Sequence, residues 1–84
     1  MNPADAMRLT EGLAANDLAT VERLAHTLKG SAGNVGALWV AQAAATLQAA
    51  IRSQAVREEV DTCCHALVAE LERLLEMIQV ALRG

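Results

Sequence analysis

Between residues 60 and 81, Val60, Cys64, Leu67, Leu71, Leu74, Ile78 and Ala81 recur at alternating steps of four and three. At about 100° per residue, that spacing lines them along one side of an α-helix. Glu58, Glu59, Glu70, Glu72, Arg73 and Glu76 fall elsewhere on the same helix, expected over about 56–82. A stripe this long must be covered by other apolar surface, which constrains the chain to a helical assembly. The heptad-like repeat also suits self-association, but the charged opposite side favours the core of a bundle.

The rest of the chain supplies the cover. A first helix is expected over about 4–14, with Asn2 as cap and Pro3 at the favoured first position. Its apolar positions are Met7, Leu9 and Leu13, and Asp5 and Glu11 lie on its polar side. Asn16-Asp17 reads as a turn and N-cap for a second helix over 17–35, whose core positions Leu18, Val21, Ala25, Leu28, Ala32 and Val35 step by three and four. Gly36 ends it. A third helix over 38–53 carries Val40, Ala44, Leu47 and Ile51 on one face, and Ser53-Gln54-Ala55 makes the next break. Short connections favour antiparallel neighbours, so the expected fold is all-α, an antiparallel up-and-down four-helix bundle forming one domain over residues 1–84.

Composition narrows the function classes. The apolar fraction is 54%, yet Trp39 is the only aromatic residue, so the core must be built from Leu, Val, Ile and Ala. A net charge of −3, with no Lys/Arg cluster beside aromatics, offers no electrostatic footprint for nucleic acid. Nothing from Gly30 to Ile51 is charged, but three glycines, five polar residues and a predominance of alanine argue against a membrane span there. The N-terminus has neither the basic region nor the apolar run of a signal peptide, and the domain is expected to be soluble and cytoplasmic. Adjacent Cys63 and Cys64 diverge around a helix, cannot close a relaxed disulfide, and are read as reduced thiols.

One segment does not fit a plain bundle. Gly30 and Gly33 interrupt a good helical pattern, at a cost of about 1 kcal/mol each relative to alanine. They follow His26 by one and two turns, so all three project from the same side, away from the stripe centred on Ala25 and Leu28, and Lys29 borders that side. The set comprises a solvent-facing imidazole, a cation within its reach, and a neighbouring surface stripped of side chains on which another protein's backbone can settle. Neutral imidazole is a competent nucleophile toward phosphorus, and a lysine can balance the charge of the transferred group. If the turn between the second and third helices centres near Ala37, His26 lies eleven residues before it and Gln48 eleven after. An antiparallel pair then sets the two level, where Gln48 can hydrogen-bond the ring or its phosphate, and Arg52, one turn on, can add a second cation.

The run His26-Thr27-Leu28-Lys29-Gly30-Ser31-Ala32-Gly33-Asn34-Val35-Gly36-Ala37 closely resembles the signature of histidine-containing phosphotransfer (HPt) domains of multistep two-component relays. The resemblance implies that His26 takes a phosphoryl group from the aspartate of one response-regulator receiver domain and passes it to that of another. It implies no cofactor in this chain, the Mg²⁺ being supplied by the receiver, and no kinase activity of its own. Lys29 and Gly30 match the family's lysine and glycine, and Gln48 falls where some members carry a glutamine that contacts the imidazole, many having Glu nearby instead. Gly30, Gly33 and Glu22 are assigned to partner docking. The resemblance also implies a minimal module of a hybrid sensor histidine kinase, tethered to the inner membrane through that parent.

Blander readings stand beside these. An isolated helical histidine is usually an ordinary surface residue, and it is the adjoining Lys-Gly-x-x-Gly that reverses the odds. Gly33 and Gly36 serve either close packing and a helix end or an interface. Cys63-Cys64-His65 radiate around a helix and cannot converge on zinc, and no Lys-Gly follows His65 to make it a second phosphoacceptor. Gly30 to Gly36 lacks the preceding strand and the Gly-Lys-Ser/Thr ending of a nucleotide loop. Trp39 is expected to pack at the distal end of the bundle, an interface role being the lesser alternative. A helical interaction module without chemistry is the rival function. A dimerising kinase core would need an acidic residue where Thr27 stands.

Overall fold

The computed structural model describes residues 3–83 of the chain. Four helices follow one another, α1 (Asp5–Ala14), α2 (Leu18–Asn34), α3 (Leu38–Arg52) and α4 (Arg57–Arg83). Each packs on its sequence neighbours and α4 closes on α1, giving a four-helix ring with outer dimensions of 43 × 21 × 17 Å. The most extensive seam is that between α2 and α3. At 1.5 Å per residue, α4 runs almost the length of the molecule, and the shorter helices assemble along it.

The three reversals share one construction. In each, a residue with positive φ follows the helix end: Asn16 (57°), Gly36 (80°) and Gln54 (57°). The amide after it bonds back to a carbonyl five residues earlier, in Asp17 to Gly12 (2.8 Å), Ala37 to Ala32 (2.9 Å) and Ala55 to Ala50 (3.0 Å). This is the Schellman termination, which satisfies carbonyls that the ending helix leaves without partners. Asp17 then caps α2, accepting from the Thr20 amide at 3.3 Å and the Thr20 hydroxyl at 2.7 Å. These two bonds, in that order of hydroxyl then amide, hold the Asp17 carboxyl below the usual aspartate value, and Arg23 adds to the effect. Arg57 ties the first reversal to α4, donating to the Leu13 carbonyl (2.6 Å), the Asn16 side chain (2.8 Å) and Asp61 (2.7 Å).

The core follows the stripes in their central turns and departs from them at the ends. Leu9, Leu13, Val21, Ala25, Leu28, Ala32, Val40, Ala44, Leu47, Val60, Cys64, Leu67, Leu71 and Leu74 are buried. Val35, expected in the core, is 68% exposed, because the helix has already ended and the Schellman turn folds Ala37 inward in its place. Met7 is also exposed, while Asp5, expected on the polar side, is buried. Asp5 shares the i, i+4, i+8 line of Leu9 and Leu13, from which Met7 is turned by about 200°. Ile78 and Ala81 are exposed because no residue of α4 beyond Leu74 is buried: the stripe continues past the cover that the other helices provide. Leu18 and Ile51 are half-buried. Trp39 retains 42% of its surface, lying along a groove with Met77 at the bundle's edge. Ala4 rather than Asn2 or Pro3 borders α1, with Pro3 preceding the cap; Asn2 lies outside the described residues.

Cys64 is fully buried against α1, its Sγ 4.0 Å from the Leu9 carbonyl, and Cys63 is half-buried. Burial pushes the Cys64 thiol above its ordinary value, and nearby Asp61 adds to the rise.

Candidate functional site

His26 lies in the middle of α2, next to the buried Ala25, which carries it to the edge of the α2–α3 seam while its ring stays exposed. Gln48 comes from the last third of α3, one turn before its end at Arg52 and next to the buried Leu47, and only 6% of it reaches solvent. The sequence expectation that the two are level is met: Gln48 Nε2 lies 3.2 Å from His26 Nδ1. A buried amide carried by α3 thus contacts one nitrogen of an exposed ring. Among the described residues no protein group bonds Nε2.

One turn nearer the start of α2, a second contact crosses the same seam. Arg52 Nε donates to Glu22 Oε1 at 2.6 Å. His26 follows Glu22 by four residues and Arg52 follows Gln48 by four, so the two contacts form successive rungs between antiparallel helices. Arg52, which the sequence offers as a second cation one turn on from Gln48, lines the same cleft as His26, and its guanidinium is paired with the carboxylate that α2 presents at that level, Glu22.

Both rungs border one shallow cleft of about 300 Å³, lined by Ala19, Glu22, Arg23, His26, Gln48 and Arg52. Arg23 is a participant that the motif did not single out. The signal was available in the spacing: Arg23 precedes His26 by three residues as Lys29 follows it by three. Lys29 is exposed and lies off this cleft, toward Gly30 and Gly33. No ion pair joins it to another described residue.

Gly30 and Gly33 are open. A Cβ built on either would meet nothing within 4 Å, so internal packing does not account for their lack of a side chain. Gly36 is different, since its φ of 80° is the helix-terminating conformation itself. Between them, the exposed ring and the two bare turns make a smooth strip along α2.

Cys63, Cys64 and His65 take up half-buried, buried and exposed positions on successive sides of α4. No group of three or more potential metal-ligating side chains occurs among the described residues. No described helix is long and apolar enough to cross a membrane.

Comparison with curated proteins and with solved structures gives no match. The family model described as Hpt domain matches residues 1–81, nearly the whole of the bundle, and the chain belongs to that family.

Proposed function

We propose that His26 is the phosphoacceptor of this Hpt domain, taking a phosphoryl group from the aspartate of one receiver domain and delivering it to the aspartate of another. Hpt domains are phosphohistidine carriers of two-component phosphorelays. The observation that carries the assignment is the 3.2 Å contact between Gln48 and Nδ1 of the exposed ring.

That contact bears on the chemistry through the tautomer. A carboxamide has a donor end and an acceptor end, and a half-turn exchanges them. In the structure the amide nitrogen faces Nδ1; the half-turn that brings the oxygen there lets it accept from Nδ1–H and leaves the free lone pair of the ring on Nε2. Nε2 then attacks the phosphorus of an aspartyl phosphate: the N–P bond forms, the P–O bond breaks, and the electron pair returns to the receiver's carboxylate. Delivery to a second aspartate is the reverse. With the amide hydrogens toward Nδ1, the proton resides on Nε2, so attack follows only after that half-turn.

Lys29 and Arg23, three residues to either side of His26, supply positive charge for the transferred group. Gly30 and Gly33, with Glu22, form the surface on which the receiver settles, and the receiver brings the Mg²⁺ and acidic groups around its own aspartate. The domain acts as a carrier without autokinase activity, on the cytoplasmic side, whether alone or within a hybrid sensor kinase.

The test is incubation with a phosphorylated receiver domain, followed by acid treatment of the labelled product. Acid-labile, base-stable label on the wild type and none on His26→Gln is the expected result. Undiminished label on His26→Gln overturns the assignment.

A further inference from the structure

The Glu22–Arg52 contact is out of proportion to any structural duty. An ion pair whose side chains are 30% and 65% exposed contributes little to stability. It nevertheless spans two helices at 2.6 Å and occupies the wall of the cleft that His26 also borders. Resting on the assignment of His26 as phosphoacceptor, we infer that this pair is a latch: Glu22 holds Arg52 away from the phosphoryl group and so sets how long phosphohistidine persists.

The geometry supplies each part. Arg52 stands one turn, or about 5.4 Å, from the level of the ring, a distance that an arginine side chain spans by changing rotamers. The more exposed guanidinium is free to swing through solvent, whereas Glu22 is the more enclosed partner. A phosphoryl group on Nε2 carries more negative charge than a carboxylate and accepts two parallel N–H bonds from a guanidinium. It therefore competes with Glu22 for the same cation across a single turn of the seam. While Arg52 stays on Glu22, the phosphoryl group lacks that clamp and departs sooner.

The latch fixes the signs of a double-mutant cycle. Glu22→Gln frees Arg52 and lengthens the life of phosphohistidine. Arg52→Ala removes the clamp and shortens it. In the Arg52→Ala background, Glu22→Gln changes nothing further, because there is no cation left to release.

The full chain and its variants are charged with phosphoramidate, in which Nε2 displaces ammonia from phosphorus. Loss of the phosphoryl group to water, with the N–P electron pair returning to Nε2, is then followed by ³¹P NMR. Circular dichroism confirms that each variant is folded. Glu22→Gln is expected to extend the half-life by roughly three- to fivefold, the factor matching release of an exposed ion pair. Arg52→Lys should restore part of what Arg52→Ala loses. An unchanged half-life in Glu22→Gln overturns the latch, and so does an equal lengthening with and without Arg52, which marks simple repulsion by Glu22. Failure of the wild type to take up phosphate, or equal uptake by His26→Gln, overturns the phosphoacceptor assignment instead.

Discussion

Gln48 and His26, 22 residues apart in the chain, meet at 3.2 Å across the α2–α3 seam, so the ring is oriented by a helix other than its own. Replacing Gln48 by Ala removes that hold while leaving the imidazole in place. Transfer from a phosphorylated receiver should slow by about tenfold, the equivalent of one hydrogen bond in the barrier. Thermal unfolding should move only slightly. Wild-type rates in a folded Gln48→Ala variant would show that the contact is incidental.

The glycines predict stability changes of opposite sign. A Cβ at Gly12 would stand 2.9 Å from Cγ2 of Val21, a stiff and fully buried side chain. Gly12→Ala should therefore destabilise the domain by about 1–2 kcal/mol, overpacking outweighing the better helix propensity. Gly30→Ala and Gly33→Ala point into open space and should each stabilise it by about 0.5–1 kcal/mol. Transfer should slow in the last two, since the added methyl lies on the docking strip. Urea denaturation and transfer assays on the same variants separate the effects; faster or unchanged transfer would return the strip to the role of bare helix surface.

Acid should reveal the Asp17 cap. The Thr20 hydroxyl and amide hold the folded carboxyl below its ordinary value. A carboxyl lowered by folding stabilises the native state fully above its unfolded value of about 3.9, and that contribution fades as pH falls through the folded value. Asp17→Asn should accordingly lose less stability than the wild type on acidification below about pH 4. Parallel unfolding curves at pH 6 and pH 3 measure it, and identical acid losses would remove the cap from the account.

The two thiols should behave differently. Cys63 is half-buried and Cys64 fully enclosed, its thiol raised first by burial and then by Asp61. At neutral pH a disulfide reagent should modify Cys63 at least about tenfold faster, with Cys64 reacting only as the bundle opens. Folding raises the Cys64 value, so the stability it contributes is complete below the unfolded thiol's value of about 8.5 and declines as pH rises toward the folded one. Equal reactivity of both thiols would contradict the packing of α4 on α1.

The central turns of the bundle were legible in the sequence because burial there repeats with the helix. Leu67, Leu71 and Leu74 lie on the same stripe as Val60 and Cys64, and all are buried. The His26 run, the bare turns at Gly30 and Gly33, and the helix end at Gly36 are local properties of the chain, and reading them needed no neighbours. Even the level of Gln48 followed from counting residues on either side of a turn.

Tertiary structure decided what those faces meet and where their cover stops. Periodicity names the inward side of α4, but only the lengths of the other helices determine that Ile78 and Ala81 stay exposed. It names Val35 as apolar, but the Schellman turn substitutes Ala37. It lists Arg52 among the cations near His26, yet the partner of a long charged side chain is whichever opposite charge the adjoining helix brings to its level. Here that charge is Glu22, 30 residues away in the chain and 2.6 Å away in the fold.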